Sequence, residues 1–97
     1  MKNISTIKRL IEKHKIKLER QYSVKALGVF GSYAKGKQKS HSDIDILVDF
    51  SQSPDFFKFL KLENFLARVL GVKVDLVTRK ALKPAIKDVI IKETIFV

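Results

Sequence analysis

The sequence predicts an α/β fold, a small mixed, twisted β-sheet backed by helices. Three observations carry this. Apolar residues recur every three or four positions near the N-terminus and again in the middle of the chain, the spacing of amphipathic helices. Short, largely apolar runs at 24–30, 44–50 and 72–77 lie between and after them, as suits strands covered by helices. The 97 residues suffice for one core of two packed layers, so 1–97 is expected to be a single domain.

Taken in order, Ile4, Ile7, Ile11, His14 and Leu18 share one face and predict one helix from about Ile4 to Arg20. His14 is expected to be partly buried and hydrogen-bonded, because nothing else in the chain makes a metal set with it. A short connection at 21–23 leads to the first strand, Val24 to Phe30. Lys35 to Ser42 is polar and basic, a surface loop whose charge can steer an anion. Ile44 to Phe50 is the second strand, with Asp49 read as a strand-end residue. Ser53 is placed to cap a helix whose first turn holds Pro54 and Asp55. That helix is expected to reach Leu70, to bury Phe56, Phe59, Leu62, Phe65, Leu66 and Val69, and to close at Gly71. Val72 to Val77 is the third strand. Pro84 opens a last helix running to about Lys92 with Ile86, Val89 and Ile90 inward, and Ile95 to Val97 form either a terminal strand or an exposed apolar tail suited to docking.

Composition limits the function classes. Twenty basic against ten acidic residues give a net charge of +10, which favours nucleotides, nucleic acid or an acidic protein as partners. Most lysines oppose apolar stripes as on any solvated face, and the phenylalanines read as core. Nucleic-acid binding is therefore open without being the favoured reading. The absence of cysteine excludes disulfides and thiolate metal sites. With no apolar leader segment and no stretch long enough to span a bilayer, a cytoplasmic protein without a membrane partner is expected.

The chemistry concentrates between the first two strands, in Gly31-Ser32-Tyr33-Ala34-Lys35-Gly36 and Ser42-Asp43-Ile44-Asp45. Residues two apart on a strand point the same way, so Asp43 and Asp45 aim at one place. Paired carboxylates are hard oxygen ligands of the kind Mg²⁺ takes, and without a cation their repulsion raises a pKa. Gly31 lets the backbone approach an anion closely, the free N–H groups of a following helical turn favour phosphate, and Ser32 adds a hydroxyl. Asp75 sits mid-strand among apolar residues, where a carboxylate is costly to bury unless paired or metal-bound. That cost is a separate reason to place it at the site. A lone Gly-Ser is usually a turn and a lone Asp-x-Asp a strand end. Strand, turn and strand together specify a metal-dependent nucleotide site.

These residues, with Ile46-Leu47-Val48 completing the second run, resemble the signature of the DNA polymerase β-like nucleotidyltransferase superfamily. The length and ending are similar to the minimal nucleotidyltransferase (MNT) domains, antitoxins paired with HEPN-domain toxins. The resemblance implies a polymerase-β-like fold in which Gly31 and Ser32 bind the triphosphate and Asp43 and Asp45 bind metal. It implies that Asp75 completes the metal triad and helps deprotonate the attacking hydroxyl. Lys35 stands where many members carry arginine; it keeps the charge and loses the bidentate fork, so its part in nucleotide binding is the least constrained. ATP as substrate, two Mg²⁺ ions and AMP transfer to a tyrosine hydroxyl of a HEPN ribonuclease toxin follow from the same resemblance. Larger relatives use an added domain to hold base or acceptor, so an open face completed by the partner, or by a second subunit in a homo-oligomer, is expected. Other readings are an antitoxin acting by binding alone, transfer to RNA or a small-molecule hydroxyl, and a basic nucleic-acid-binding module.

Overall fold

The computed structural model describes residues 3–97. The Asn3 side chain accepts the Thr6 N–H at 3.0 Å and caps helix α1, Ile4–Glu12. The chain then breaks, and α2 runs Lys15–Tyr22. The single helix expected from Ile4 to Arg20 is thus two helices, and His14 is the reason. In an unbroken helix its N–H would reach the Leu10 carbonyl; here that N–H donates to Ile11 O at 2.9 Å, and the ring Nδ1–H takes Leu10 O at 2.9 Å instead. The half-buried imidazole packs edge-on against Phe65, ring centres 5.5 Å apart, as the partly buried, hydrogen-bonded reading required.

Four strands form a mixed sheet in the order β3-β2-β1-β4. β1 (Val24–Phe30) and β2 (Ile44–Phe50) pair antiparallel. β3 (Val74–Thr78) lies parallel to β2 at one edge, reached through helix α3, Phe56–Leu70. Parallel neighbours need such a crossover, and the helix covers the sheet on its way. Ile7, Ile11 and Leu18 of the N-terminal helices meet Leu62, Phe65, Leu66 and Leu70 of α3 over Val29, Ile44, Ile46, Val48, Val74 and Leu76. One sheet face is therefore the core wall. Alternation sends Asp45 and Asp49 to the other.

Two expectations about α3 are corrected. Its cap is Asp55, whose Oδ1 accepts the Lys58 N–H at 2.8 Å, and not Ser53; Ser53 precedes Pro54, which disfavours helical backbone there. The later start puts Phe56 in the first turn facing solvent at 68% exposure, so the buried stripe begins at Phe59.

Helix α4 (Pro84–Glu93) opens on its proline as expected. Ile86 and Val89 are nevertheless 47% and 56% exposed, not inward. α1, α2 and α3 already occupy the core face, and α4 buries no residue fully. It is tethered at its end, where Glu93 pairs with Lys35 at 3.3 Å. The chain end is a strand, β4 (Ile95–Phe96), antiparallel to β1 with Phe96 opposite Gly28; Val97 N–H adds a bond to Leu27 O at 2.9 Å. A β-carbon on Gly28 would collide with the Thr94 methyl, so the bare backbone there is what lets the C-terminal segment cross. Among the described residues no helix is long and apolar enough to cross a membrane.

Candidate active site

β1 ends at Phe30, and Gly31 turns the chain with φ +73°, a conformation that side-chain-bearing residues rarely adopt. Residues 31–36 coil into a tight turn closed by Lys35 N–H to Gly31 O at 3.2 Å and Lys37 N–H to Ser32 O at 2.8 Å. Among the described residues, no acceptor takes the N–H groups of Ser32, Tyr33 or Ala34. Amides left over at the start of such a turn favour an anion. Gly31 meets a second demand from the far side, because Asp45 Oδ2 stands where its β-carbon would be. Turn and carboxylate are in contact.

Asp45 lies opposite Phe30 on β1 and opposite Asp75 on β3. In a parallel pair the residues in register share a face, so Asp45 and Asp75 look the same way, and Asp43 joins them by alternation. Burial pushes the Asp45 carboxyl above its ordinary 3.8, and the charges of Asp75 and then Asp43 push it further. Asp75 itself is exposed. The burial argument made for it from sequence therefore falls on Asp45 instead: β3 is an edge strand, open to water on the side the acids face. Among the described residues, no three Asp, Glu, His or Cys side chains are gathered into a ready-made ion cage. Mg²⁺ does not need one, since it is usually held by one or two carboxylates with water and substrate phosphate completing its shell. Three hard oxygen donors whose mutual repulsion already burdens the central one suit such a cation.

A shallow cleft of about 260 Å³ is lined by His41, Asp43 and Lys73 among others, and of the three acids it takes in Asp43 alone, with a lysine alongside. A larger hollow of about 710 Å³, lined by Tyr22, Lys61 and Arg68 among others, contains none of the three acids, of which Asp43 and Asp75 are exposed. Lys35 is exposed and paired with Glu93, not aimed freely at the turn.

Two contributors escaped the sequence reading. Tyr33, within the turn that follows Gly31, is 2% exposed and belongs to the core; its hydroxyl points to Ser42 O at 3.4 Å, so one ring ties the Gly31 turn to the residue before Asp43. A bulky aromatic amid small and polar neighbours was the available signal. Glu63 of α3 accepts the Leu76 N–H at 3.0 Å, next to Asp75, and nothing in helical periodicity marks it.

Fold and site together define a nucleotidyl-transfer domain: strand-borne carboxylates on a mixed sheet beside a glycine-hinged turn with open amides. The profile of the Nucleotidyltransferase domain family matches residues 11–97. The chain is 50% identical, over the whole of both chains, to a Methanocaldococcus jannaschii protein to which protein adenylyltransferase activity is ascribed. Among solved structures, a toxin–antitoxin complex with AMP-PNP has a chain that superposes with a TM-score of 0.70 at 30% identity, over 88% of this chain and 70% of that one. A complex of tri-AMPylated Shewanella oneidensis HEPN toxin with its MNT antitoxin gives 0.63 at 27% identity, over 91% of this chain and 69% of that one. This protein belongs to the nucleotidyltransferase domain family.

Proposed function

We propose that the protein is an antitoxin acting as a Mg²⁺-dependent protein adenylyltransferase, moving AMP from ATP onto a tyrosine hydroxyl of a HEPN-domain ribonuclease toxin and so silencing it. The observation that carries the chemistry is the register of Asp45 with Asp75 beside the Gly31 turn. The relatives support the acceptor class, one named for protein adenylylation and one solved with an AMPylated HEPN partner.

The open amides of Ser32 and Tyr33, with the Ser32 hydroxyl, hold the β and γ phosphates, leaving the α-phosphorus over the acids. Asp75, on the exposed edge strand, takes the proton of the incoming hydroxyl as the new O–P bond forms. The bond from the α-phosphorus to the bridging oxygen breaks on the opposite side, and pyrophosphate leaves toward the turn. Asp43, Asp45 and Asp75 would hold magnesium, which would supply charge neutralisation for the attacking and departing oxygens. What the protein contributes is chiefly position and fixed charge. An open face fits a partner that brings its own surface.

The test is to incubate the protein with [α-³²P]ATP, MgCl₂ and the HEPN protein of the same genome, then map the label by mass spectrometry. The expected result is AMP on tyrosine, lost in Asp43→Ala and Asp45→Ala. Equal labelling by both variants would remove the catalytic assignment, and protection of toxin-expressing cells by a variant lacking all three acids would favour neutralisation by binding alone.

A further inference from the structure

We propose that Glu63 is a positioning residue for Asp75, acting through the peptide that joins Asp75 to Leu76. The inference rests on the catalytic reading of Asp75 above. β3 is the outermost strand on its side of the sheet. Ile44 N–H donates to Lys73 O at 2.9 Å, which fixes the phase of the parallel ladder. Alternate residues of a strand turn their backbone groups to opposite edges, so the backbone groups of Asp75 face β2 and those of Leu76 face outward, where no strand lies. Glu63 fills that vacant place: its Oε2 accepts the Leu76 N–H at 3.0 Å. Among the described residues Glu63 has no ion-pair partner to compete for its carboxylate.

The consequence is geometric. Leu76 is anchored in the core by its side chain, and the peptide just before it is now held on both edges, by β2 through Asp75 and by α3 through Glu63. The Asp75 carboxylate stands on a short edge strand that lacks a second neighbour, and its alignment with Asp45 depends on that peptide's tilt. Glu63 thus lends the edge strand the rigidity that a further strand would have given. It touches neither substrate nor reacting atoms.

The experiment compares Glu63→Ala, Glu63→Asp and Glu63→Gln with the wild type in two readouts: steady-state AMP transfer to the HEPN protein, and amide hydrogen exchange at Leu76 measured without ATP or Mg²⁺. The alanine removes the acceptor, the aspartate keeps the charge but falls short of the amide, and the glutamine keeps an acceptor oxygen at full reach. Loss of an outer supporting contact typically costs about ten-fold or more in activity. The expected result is a fall in kcat of about that size in the Ala and Asp variants with KM for ATP little changed, faster Leu76 exchange in both, and recovery of both readouts in Gln. Wild-type kcat in the Asp variant, folded by circular dichroism, would overturn the proposal, as would a Gln variant as slow as Ala. A wild type that transfers no AMP would refute the proposed function, and with it the positioning role; an active wild type with an equally active Asp variant would sink the positioning role alone.

Discussion

Asp45 on β2 and Asp75 on β3 stand opposite one another in a parallel ladder, two carboxylates on one face with a third, Asp43, two residues back along the chain. Like charges so arranged are unfavourable in the free protein and favourable only around a cation. The fold carries this opposition in exchange for a site.

That opposition predicts a pH-dependent stability. The folded-state pKa of Asp45 is raised above 3.8 by burial, then Asp75, then Asp43. A raised carboxyl stabilises the fold while protonated and loses that contribution as pH rises through its folded pKa. Without metal at pH 7 the charged form is a cost, so Asp45→Asn should melt no lower than wild type there, and the two should converge as the solution is acidified toward pH 4. Added MgCl₂ should raise the wild-type Tm and leave the variant nearly unchanged. Thermal melts at several pH values decide it, and an Asn variant markedly less stable at pH 7 would count against the account.

Gly31→Ala should damage both halves of the site. The backbone sits at φ +73°, where a β-carbon costs about 1–2 kcal/mol, and the added atom would displace the Asp45 carboxylate. Urea unfolding should show the stability loss, and AMP transfer should fall far more than that loss explains.

Tyr33 separates packing from hydrogen bonding. Its ring is buried while its hydroxyl contact to Ser42 O is long, at 3.4 Å. Tyr33→Phe should stay within about 1 kcal/mol of wild type, whereas Tyr33→Ala, by emptying an aromatic core position, should cost about 3 kcal/mol or more. Equal costs in denaturant titrations would show the hydroxyl to be the anchor.

Gly28→Val should release the C-terminal segment, since any side chain at that position meets Thr94, Ile95 and Phe96. Hydrogen exchange at Val97, whose N–H is bonded to Leu27 O, should accelerate while the bonds between β1 and β2 stay protected.

Much of this was legible in the residues. Alternation placed Asp43 and Asp45 together, and the abrupt end of an apolar run at Gly31 marked the turn. What periodicity could not show was competition between backbone and side chain. His14 splits a helix because its ring takes the carbonyl its own amide would have used, and Asp55 wins the cap two residues beyond Ser53. Ile86 and Val89 have a helix's inward spacing, but a core face already filled by three other helices leaves them outside. For Asp75 the motif resemblance and the burial argument both point to the site, but the burial is absent; the parallel register, which no local pattern encodes, is what brings it opposite Asp45.

The most direct test of the central claim, that the acids of β2 and β3 form one reaction centre, is the rate of AMP transfer by Asp75→Asn at saturating ATP and Mg²⁺. The opposed-carboxylate arrangement predicts a loss of at least about a hundred-fold, with the variant still folded and still binding ATP. A variant that transfers AMP at the wild-type rate would contradict it.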